Sequence, residues 1–322
     1  MKHADTLKLD LTNTCNAHCF FCPYHGMNGE ISEQGKRNGP IQQLEIKDVL
    51  NIMEDLKGKI IRCKLSGSGE ATLHPNFREI VHIIRQSVIS IKLITNGITL
   101  EHHAPFINEQ IDDLAVSIHG DSETHDRIVG LRGAYRRAIS GLQSLNELQG
   151  GRLNKIQLSF IINKDNLDTV EYMMKISQEI NIPVVFYFDF NPRDHGEIDI
   201  DHLIKIVQKI EEKGFYISPS LSESEIKRFF LDENYVFSPH NCTHVSKEIE
   251  VMATGDVYVC QSKVWGNIYQ LGILDIIEGR ARREFIETID HEARSVEGLC
   301  PQRCDRCCYQ HPLILPLKPQ TT

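Results

Sequence analysis

Six stretches of alternating residues, each followed by a helical pattern, constrain this chain more than any other feature. The strands fit LKLDLTN (7–13), KIIRCKLSG (59–67), SIKLITNG (90–97), DDLAVSIHG (112–120), NKIQLSFIIN (154–163) and PVVFYFDFN (183–191). Helical stretches follow near 45–57, 76–87, 101–109, 132–149, 166–180 and 199–213. Strict β-then-α alternation implies a parallel sheet with right-handed crossovers. A doubly wound open sheet and a barrel both meet that pattern. The strand faces discriminate, because fully packed parallel strands read as continuous apolar runs. Here one face carries Asp10 and Thr12; Arg62, Lys64 and Ser66; Ala115, Ser117 and His119; Gln157, Ser159 and Asn163; Tyr187, Asp189 and Asn191. The other carries Leu9 and Leu11; Ile61, Cys63 and Leu65; Val116 and Ile118; Leu158, Phe160 and Ile162; Phe186, Phe188 and Phe190. Side chains alternate across a strand, so the apolar set belongs under the helices and the polar set faces a lumen. That is an open barrel for a polar ligand, not the filled core of an ordinary β/α barrel.

Just after the first strand, CNAHCFFC (15–22) sets three cysteines on a C-x3-C-x2-C spacing. Structural zinc takes four tetrahedral ligands, and His18 or His25 would have to complete this triplet. A disulfide framework fits less well, since 322 residues hold only ten cysteines and the N-terminus has no secretory apolar segment. No apolar run reaches the roughly 18 residues of a membrane span. A cytoplasmic location with reduced thiols serving metal or catalysis is the expectation. A 4Fe–4S cube offers a further reading, because three thiolates leave one iron open to a ligand.

That spacing, with Phe21 before the last cysteine, resembles the signature of the radical S-adenosylmethionine (radical SAM) superfamily. The resemblance implies a partial (β/α)6 barrel, ligated through Cys15, Cys19 and Cys22 to a cluster whose open iron chelates SAM. Reductive cleavage then gives a 5′-deoxyadenosyl radical that abstracts a hydrogen atom from substrate. Ligands of parallel α/β folds bind at the carboxyl ends of strands, and the motifs there continue the resemblance. SGSGEATLHP after the second strand is similar to the family's glycine-rich segment, with Ser68 replacing a common glycine. Gly67, Ser68 and Gly69 would let backbone approach the ligand, and Glu70 would accept from the SAM ammonium. Asn96 lies in the TNG motif (95–97). Ser117 corresponds to the serine that bonds the SAM ribose, with His119 where aspartate is frequent. Arg132 is the candidate clamp for the SAM carboxylate, with Arg127 and Arg136 as alternatives. Asn163 opens NKDN, where the family contacts adenine.

The other cysteines are Cys63, Cys242, Cys260, Cys300, Cys304, Cys307 and Cys308. Cys63 lies mid-strand on the apolar face and reads as a small hydrophobe. NCTHVSKEIEVMATGDVYVCQ predicts a hairpin that brings Cys242 towards Cys260. With the C-x2-C of Cys304 and Cys307, it resembles the SPASM/Twitch extension, which implies an auxiliary 4Fe–4S cluster. Four thiolates also suit zinc. Cys300 competes for a ligand position, and which four cysteines bind stays open. The expected fold is therefore α/β, a partial (β/α)6 barrel over residues 1–213, a linker at 214–240 and a small cysteine-rich Twitch/SPASM-like domain at 241–322.

The resemblance implies a radical SAM oxidoreductase or isomerase with SAM and two 4Fe–4S clusters, served by a reductant such as flavodoxin or ferredoxin. Two outcomes on a small sugar- or aminocyclitol-like substrate stay open. Dehydrogenation sends an electron to the auxiliary cluster, whereas epimerisation needs a hydrogen donor, for which Cys300 and Cys308 are the candidates. Asp10, Tyr187, Asp189 and Asn191 are candidate substrate contacts, with Asp194 and His195 nearby. A ribosomal-peptide maturase is the alternative, disfavoured because the first barrel strand starts near residue 7 and leaves no room for a leader-binding domain. A zinc-stabilised binding protein is the reading from another class. A net charge of −9 argues against a nucleic-acid partner, and no membrane partner is expected.

Overall fold

The protein is described by a computed structural model, over residues 4–26, 32–33, 36–37, 40–189, 198–218, 220–231, 248–260, 263–280 and 282–284. The six expected strands form as β1 (Thr6–Leu9), β4 (Arg62–Leu65), β5 (Ser90–Thr95), β6 (Asp113–Ser117), β7 (Lys155–Ile162) and β8 (Val184–Phe188). Each pairs in parallel with its neighbour in chain order. A two-residue pairing of β2 (Ser32–Glu33) with β3 (Lys36–Arg37) stands apart. The crossover helices are α1 (Ile46–Asp55), α2 (Phe77–Arg85), α3 (Leu100–Gln110), α5 (Ala134–Glu147), α6 (Val170–Glu179) and α7 (Ile200–Glu212). Local caps fix their starts. Glu45 N–H donates to Asp48 ahead of α1, and Asp199 accepts the His202 N–H ahead of α7.

The helices cover the face that carries Leu7, Leu9, Cys63, Leu65, Leu93, Val116, Leu158, Phe160 and Phe186, all fully buried. Burial of such side chains contributes about 1.5–3 kcal/mol each. The opposite, concave face holds Lys64, Lys92, Ser117, Gln157, Ser159 and Tyr187 at intermediate exposure. Ile61 departs from the pattern. It precedes β4 and is 37 % exposed, so it does not belong to the helix-covered core.

Within 214–240, where a linker is expected, β9 (Tyr216–Ser218) adds a seventh parallel strand beside β8. It is followed by α8 (Glu223–Leu231), whose Phe229 and Phe230 pack on Phe188. The expected hairpin forms as β10 (Glu248–Val251) and β11 (Asp256–Cys260), extended by β12 (Lys263–Asn267). Its position was not foreseeable from periodicity. β10 pairs in parallel with β1, so the hairpin continues the barrel sheet in the order β12-β11-β10-β1-β4-β5-β6-β7-β8-β9. Lys8 and Lys64 of the barrel form ion pairs with Glu250 and Glu248 of β10. Tyr269 and α9 (Ile273–Ile277) follow β12, and the Tyr269 hydroxyl donates to Asp48 of α1 at 3.0 Å.

Candidate active site

The three-cysteine loop is folded onto the barrel rim by its own backbone. His18 N–H donates to Val129 O at 2.8 Å, and Phe20 N–H to Ile128 O at 3.2 Å. These acceptors end a helix that periodicity missed, α4 (Ser122–Ile128), capped by Asp121 accepting from Thr124 N–H. Ala17, Ile98, Ile128, Val129 and Ala134 make a small second core beneath the loop, with Cys15, Cys19, Phe20 and Phe21 packed against it. Gly26 closes the turn where a Cβ would lie 2.5 Å from the Cys22 and Phe20 carbonyls. His25 N–H donates to Cys22 Sγ at 3.3 Å.

Burial, then the neighbouring Glu70 carboxylate, pushes the Cys15 thiol up to about 12. Cys19 is raised well above its ordinary value by burial and then by Cys15 and Cys22. Burial and neighbouring negative charge thus disfavour the thiolate forms of Cys15 and Cys19, a cost that a bound cation would relieve. Among the described residues, no three His, Cys, Asp or Glu side chains converge as a single metal ion needs.

The rim motifs lock this loop in place. Glu70 is buried, and its carboxylate accepts from the hydroxyls of Thr72 (2.7 Å) and Thr95 (2.8 Å) and from Asn96 N–H (2.8 Å). Its backbone N–H donates to Thr14 O at 2.7 Å, one residue before Cys15. Asn96 Nδ2 donates to Asn16 Oδ1 at 2.7 Å and reaches Cys15 Sγ at 3.8 Å. The glycines also answer a packing demand within the chain. A Cβ on Gly67 would fall 2.1 Å from Asp10 Cγ, and one on Gly69 would fall 2.2 Å from Thr12 O. They are small because the chain crosses itself there.

Asp10, a candidate substrate contact, is held within the chain's own hydrogen bonds. It is 2 % exposed, accepts the Ser68 hydroxyl at 2.5 Å, and is bonded by the backbone of Ser68 and Ala253. It ties β1 to the glycine loop and to the turn of the β10–β11 hairpin. Asp189 is buried at the end of β8. Tyr187 instead lines the concave face, where Gln157 Nε2 donates to its hydroxyl at 3.4 Å and Ser159 lies beside it. Ser117 stands on that face in register with Ser159.

His119 is buried and packs edge-on against Phe21 at 5.0 Å. Its Nδ1 accepts the Ile161 N–H, and its own N–H donates to His125 Nδ1 at 3.0 Å. Burial lowers both imidazoles, His125 to about 4, so both are neutral at pH 7. Asn163 shapes the NKDN turn, its N–H donating to Asn166 Oδ1 and its Oδ1 accepting from Asp165 N–H. Arg127 is committed to Asp165 at 3.3 Å, whereas Arg132 is exposed in the turn beyond α4. Asn191, Asp194, His195, Cys242, Cys300, Cys304, Cys307 and Cys308 lie outside the described residues, as does the side chain of Cys260. Cys63 is fully buried in β4, as a structural cysteine should be.

A parallel α/β barrel with a three-thiol loop at the carboxyl end of its first strand defines a cluster-dependent enzyme of the SAM-cleaving type. Comparison with known proteins agrees. Residues 9–176, more than half of the chain, match the Radical SAM superfamily, and residues 242–308 match the SPASM iron–sulfur cluster-binding domain. The chain belongs to the radical SAM superfamily and carries a SPASM domain. Its cofactors are accordingly SAM and 4Fe–4S clusters. It is 26% identical over 307 residues to a protein of Saccharolobus islandicus named Probable GTP 3',8-cyclase, covering 89% of this chain and 90% of that one. Its fold is similar to that of Streptococcus suis SuiB bound to precursor peptide SuiA (TM-score 0.65, 15% identity, 89% of this chain and 67% of that one). It is also similar to anSMEcpe with bound AdoMet (TM-score 0.60, 16% identity, 88% and 82%). Among the described residues, no helix is long and apolar enough to cross a membrane.

Proposed function

We propose that this enzyme abstracts a hydrogen atom from a small polar, sugar- or aminocyclitol-like substrate, giving dehydrogenation or epimerisation. Cys15, Cys19 and Cys22 would hold a 4Fe–4S cluster, which when bound would supply the electron for reductive cleavage of SAM. Ser117 binds the SAM ribose, Arg132 its carboxylate, and the Asn163 turn its adenine; Phe21 and Asn96 orient the loop. The observation that carries the substrate reading is the half-buried row of Gln157, Ser159 and Tyr187 on the concave face below this site. Hydroxyl and amide groups there complement a polyhydroxylated or amino substrate. A reductant such as flavodoxin or ferredoxin in the cytoplasm fits a cluster that needs reduced thiols.

A second reading takes its substrate from the relatives named Probable GTP 3',8-cyclase. Lys64 and Lys92 on the concave face support an anionic substrate of that kind. Against a triphosphate, Lys8 and Lys64 are already paired with Glu250 and Glu248.

Protein reconstituted without oxygen and reduced with dithionite should form 5′-deoxyadenosine, and Cys19→Ala should abolish it. Normal cleavage by Cys19→Ala would defeat the assignment. Turnover of GTP but of no aminocyclitol or sugar alcohol would replace the first reading with the second. Solvent deuterium at the abstracted carbon identifies epimerisation, and a product two hydrogens poorer identifies dehydrogenation. If epimerisation holds, Cys300→Ala or Cys308→Ala should stop product accumulation without stopping deoxyadenosine formation.

A further inference from the structure

One layer of the barrel wall carries an unusual line of cations. In register across β1, β4, β5, β6 and β7 stand Lys8, Lys64, Lys92, Asp113 and Lys155, side by side on the concave face. Like charges in neighbouring strands repel, so such a row requires compensation. Two members receive it from the SPASM-side strand, as Lys8 pairs with Glu250 and Lys64 with Glu248. Lys155 reaches Asp113 at 4.0 Å. Lys92, in the middle, has no carboxylate within ion-pair distance among the described residues. It feels Asp113 only at longer range, and is repelled by Lys64 and Lys155. A partly buried ammonium without a counter-ion is costly, and an anion relieves that cost.

The space above it is open. Ile94, two residues further along β5 on the same face, is 37 % exposed, so that part of the wall is not covered over by the described residues. Alternate residues on a strand are about 6.6 Å apart, and a lysine has a flexible four-carbon stem. The ammonium can therefore present itself towards the level of Gln157, which stands in register with Ala115 beside Ile94. The polar row and the cation thus share one face of the wall.

We propose that Lys92, flanked by Lys64, is an anion-binding site in the barrel lumen that takes a carboxylate or phosphate group of the substrate. It rests on the reading of a small polar substrate, and narrows that class to molecules with an anionic group. Lys8 and Lys64 are tied down by Glu250 and Glu248, so among the described residues of this row Lys92 is the cation available to a ligand.

The test is competitive labelling of the reconstituted full chain with acetic anhydride, read lysine by lysine by mass spectrometry, with inorganic phosphate or acetate present. At an anion concentration tenfold above its dissociation constant, labelling of Lys92 should fall roughly tenfold while Lys155 is unaffected. Protection by phosphate alone assigns a phosphate group, by acetate alone a carboxylate, and by both a general anion site. Labelling of Lys92 that neither anion changes, or that falls only in step with Lys155, overturns the proposal. Lys92→Met keeps the stem and removes the charge, so it should remain folded and lose the anion-dependent rise in Tm. The same rise in that variant also overturns the site. Failure of the wild type to form 5′-deoxyadenosine, with Lys92 still protected, would instead sink the functional reading alone.

Discussion

The carboxylate of Glu70 accepts the backbone N–H of Asn96 at 2.8 Å, joining the loop after β4 to the loop after β5. Through Asn96 Nδ2, the same connection continues to Asn16 and Cys15. The rim motifs are therefore one hydrogen-bonded unit under the cysteine loop.

Glu70→Gln should expose the cost of that unit. The amide brings N–H donors to a buried site already filled by the hydroxyls of Thr72 and Thr95 and the N–H of Asn96. One mismatched donor in such a site costs about 1–3 kcal/mol. Urea unfolding should show that loss, together with slower reconstitution of the SAM-site cluster.

Asn96→Ala should leave the barrel folded but loosen Cys15. Partners that orient a metal ligand typically contribute 10–100-fold to affinity or activity, so deoxyadenosine formation should fall roughly within that range. An altered electron paramagnetic resonance signal of the reduced SAM-site cluster would accompany it. Wild-type rates with a wild-type spectrum would remove Asn96 from the site.

Two glycines should respond differently to alanine. At Gly69 the new Cβ meets the Thr12 and Thr14 carbonyls at 2.2 and 2.4 Å, so the backbone leading into Cys15 has to move. Gly58 has a φ of +74° with nothing within 4 Å, so alanine there meets only left-handed strain of about 1–2 kcal/mol. Iron analysis should find about eight irons in Gly58→Ala and about four in Gly69→Ala, the auxiliary cluster remaining. Zinc in place of those four would make the auxiliary site structural zinc.

Stability should fall as the pH drops below neutrality. His125 holds its proton only below about 4 in the fold, against an ordinary value of 6.5, because it is buried. Between those values the unfolded chain binds more protons, so its population gains as pH falls. For His125 this amounts to about 2–3 kcal/mol between pH 7 and pH 4. Urea unfolding of cluster-free His125→Asn, whose amide oxygen can still accept the His119 N–H, should show a pH slope smaller by that amount. Equal slopes would mean that His125 is not held neutral.

Much of this protein is legible in its sequence. Alternation along β1 and β4–β8 gave both faces of the sheet, because a strand's period of two assigns each side chain to a face before any contact is known. The spacing of Cys15, Cys19 and Cys22 pointed to the radical SAM family that the chain belongs to, because local spacing is a property of the chain. α4 was not legible: its seven residues, Ser122–Ile128, are too short for periodicity, although Asp121 three before Thr124 was a capping signal. Nor was the strand β9 within the expected linker.

Tertiary structure alone decided what the polar residues do. Asp10 and Ser117 look alike as strand-end polar residues, yet Asp10 is sealed beneath Ser68 and Ala253 while Ser117 faces the lumen. Gly67 and Gly69 serve a crossing of the chain with itself that no local rule reveals. The parallel pairing of β10 with β1 sets residues 248–251 against residues 6–9, and it determines that Lys8 and Lys64 are neutralised while Lys92 is not. Pattern fixes which way a side chain points, because strand geometry is local. Which group meets it there depends on contacts between residues some 240 positions apart, for which periodicity carries no information.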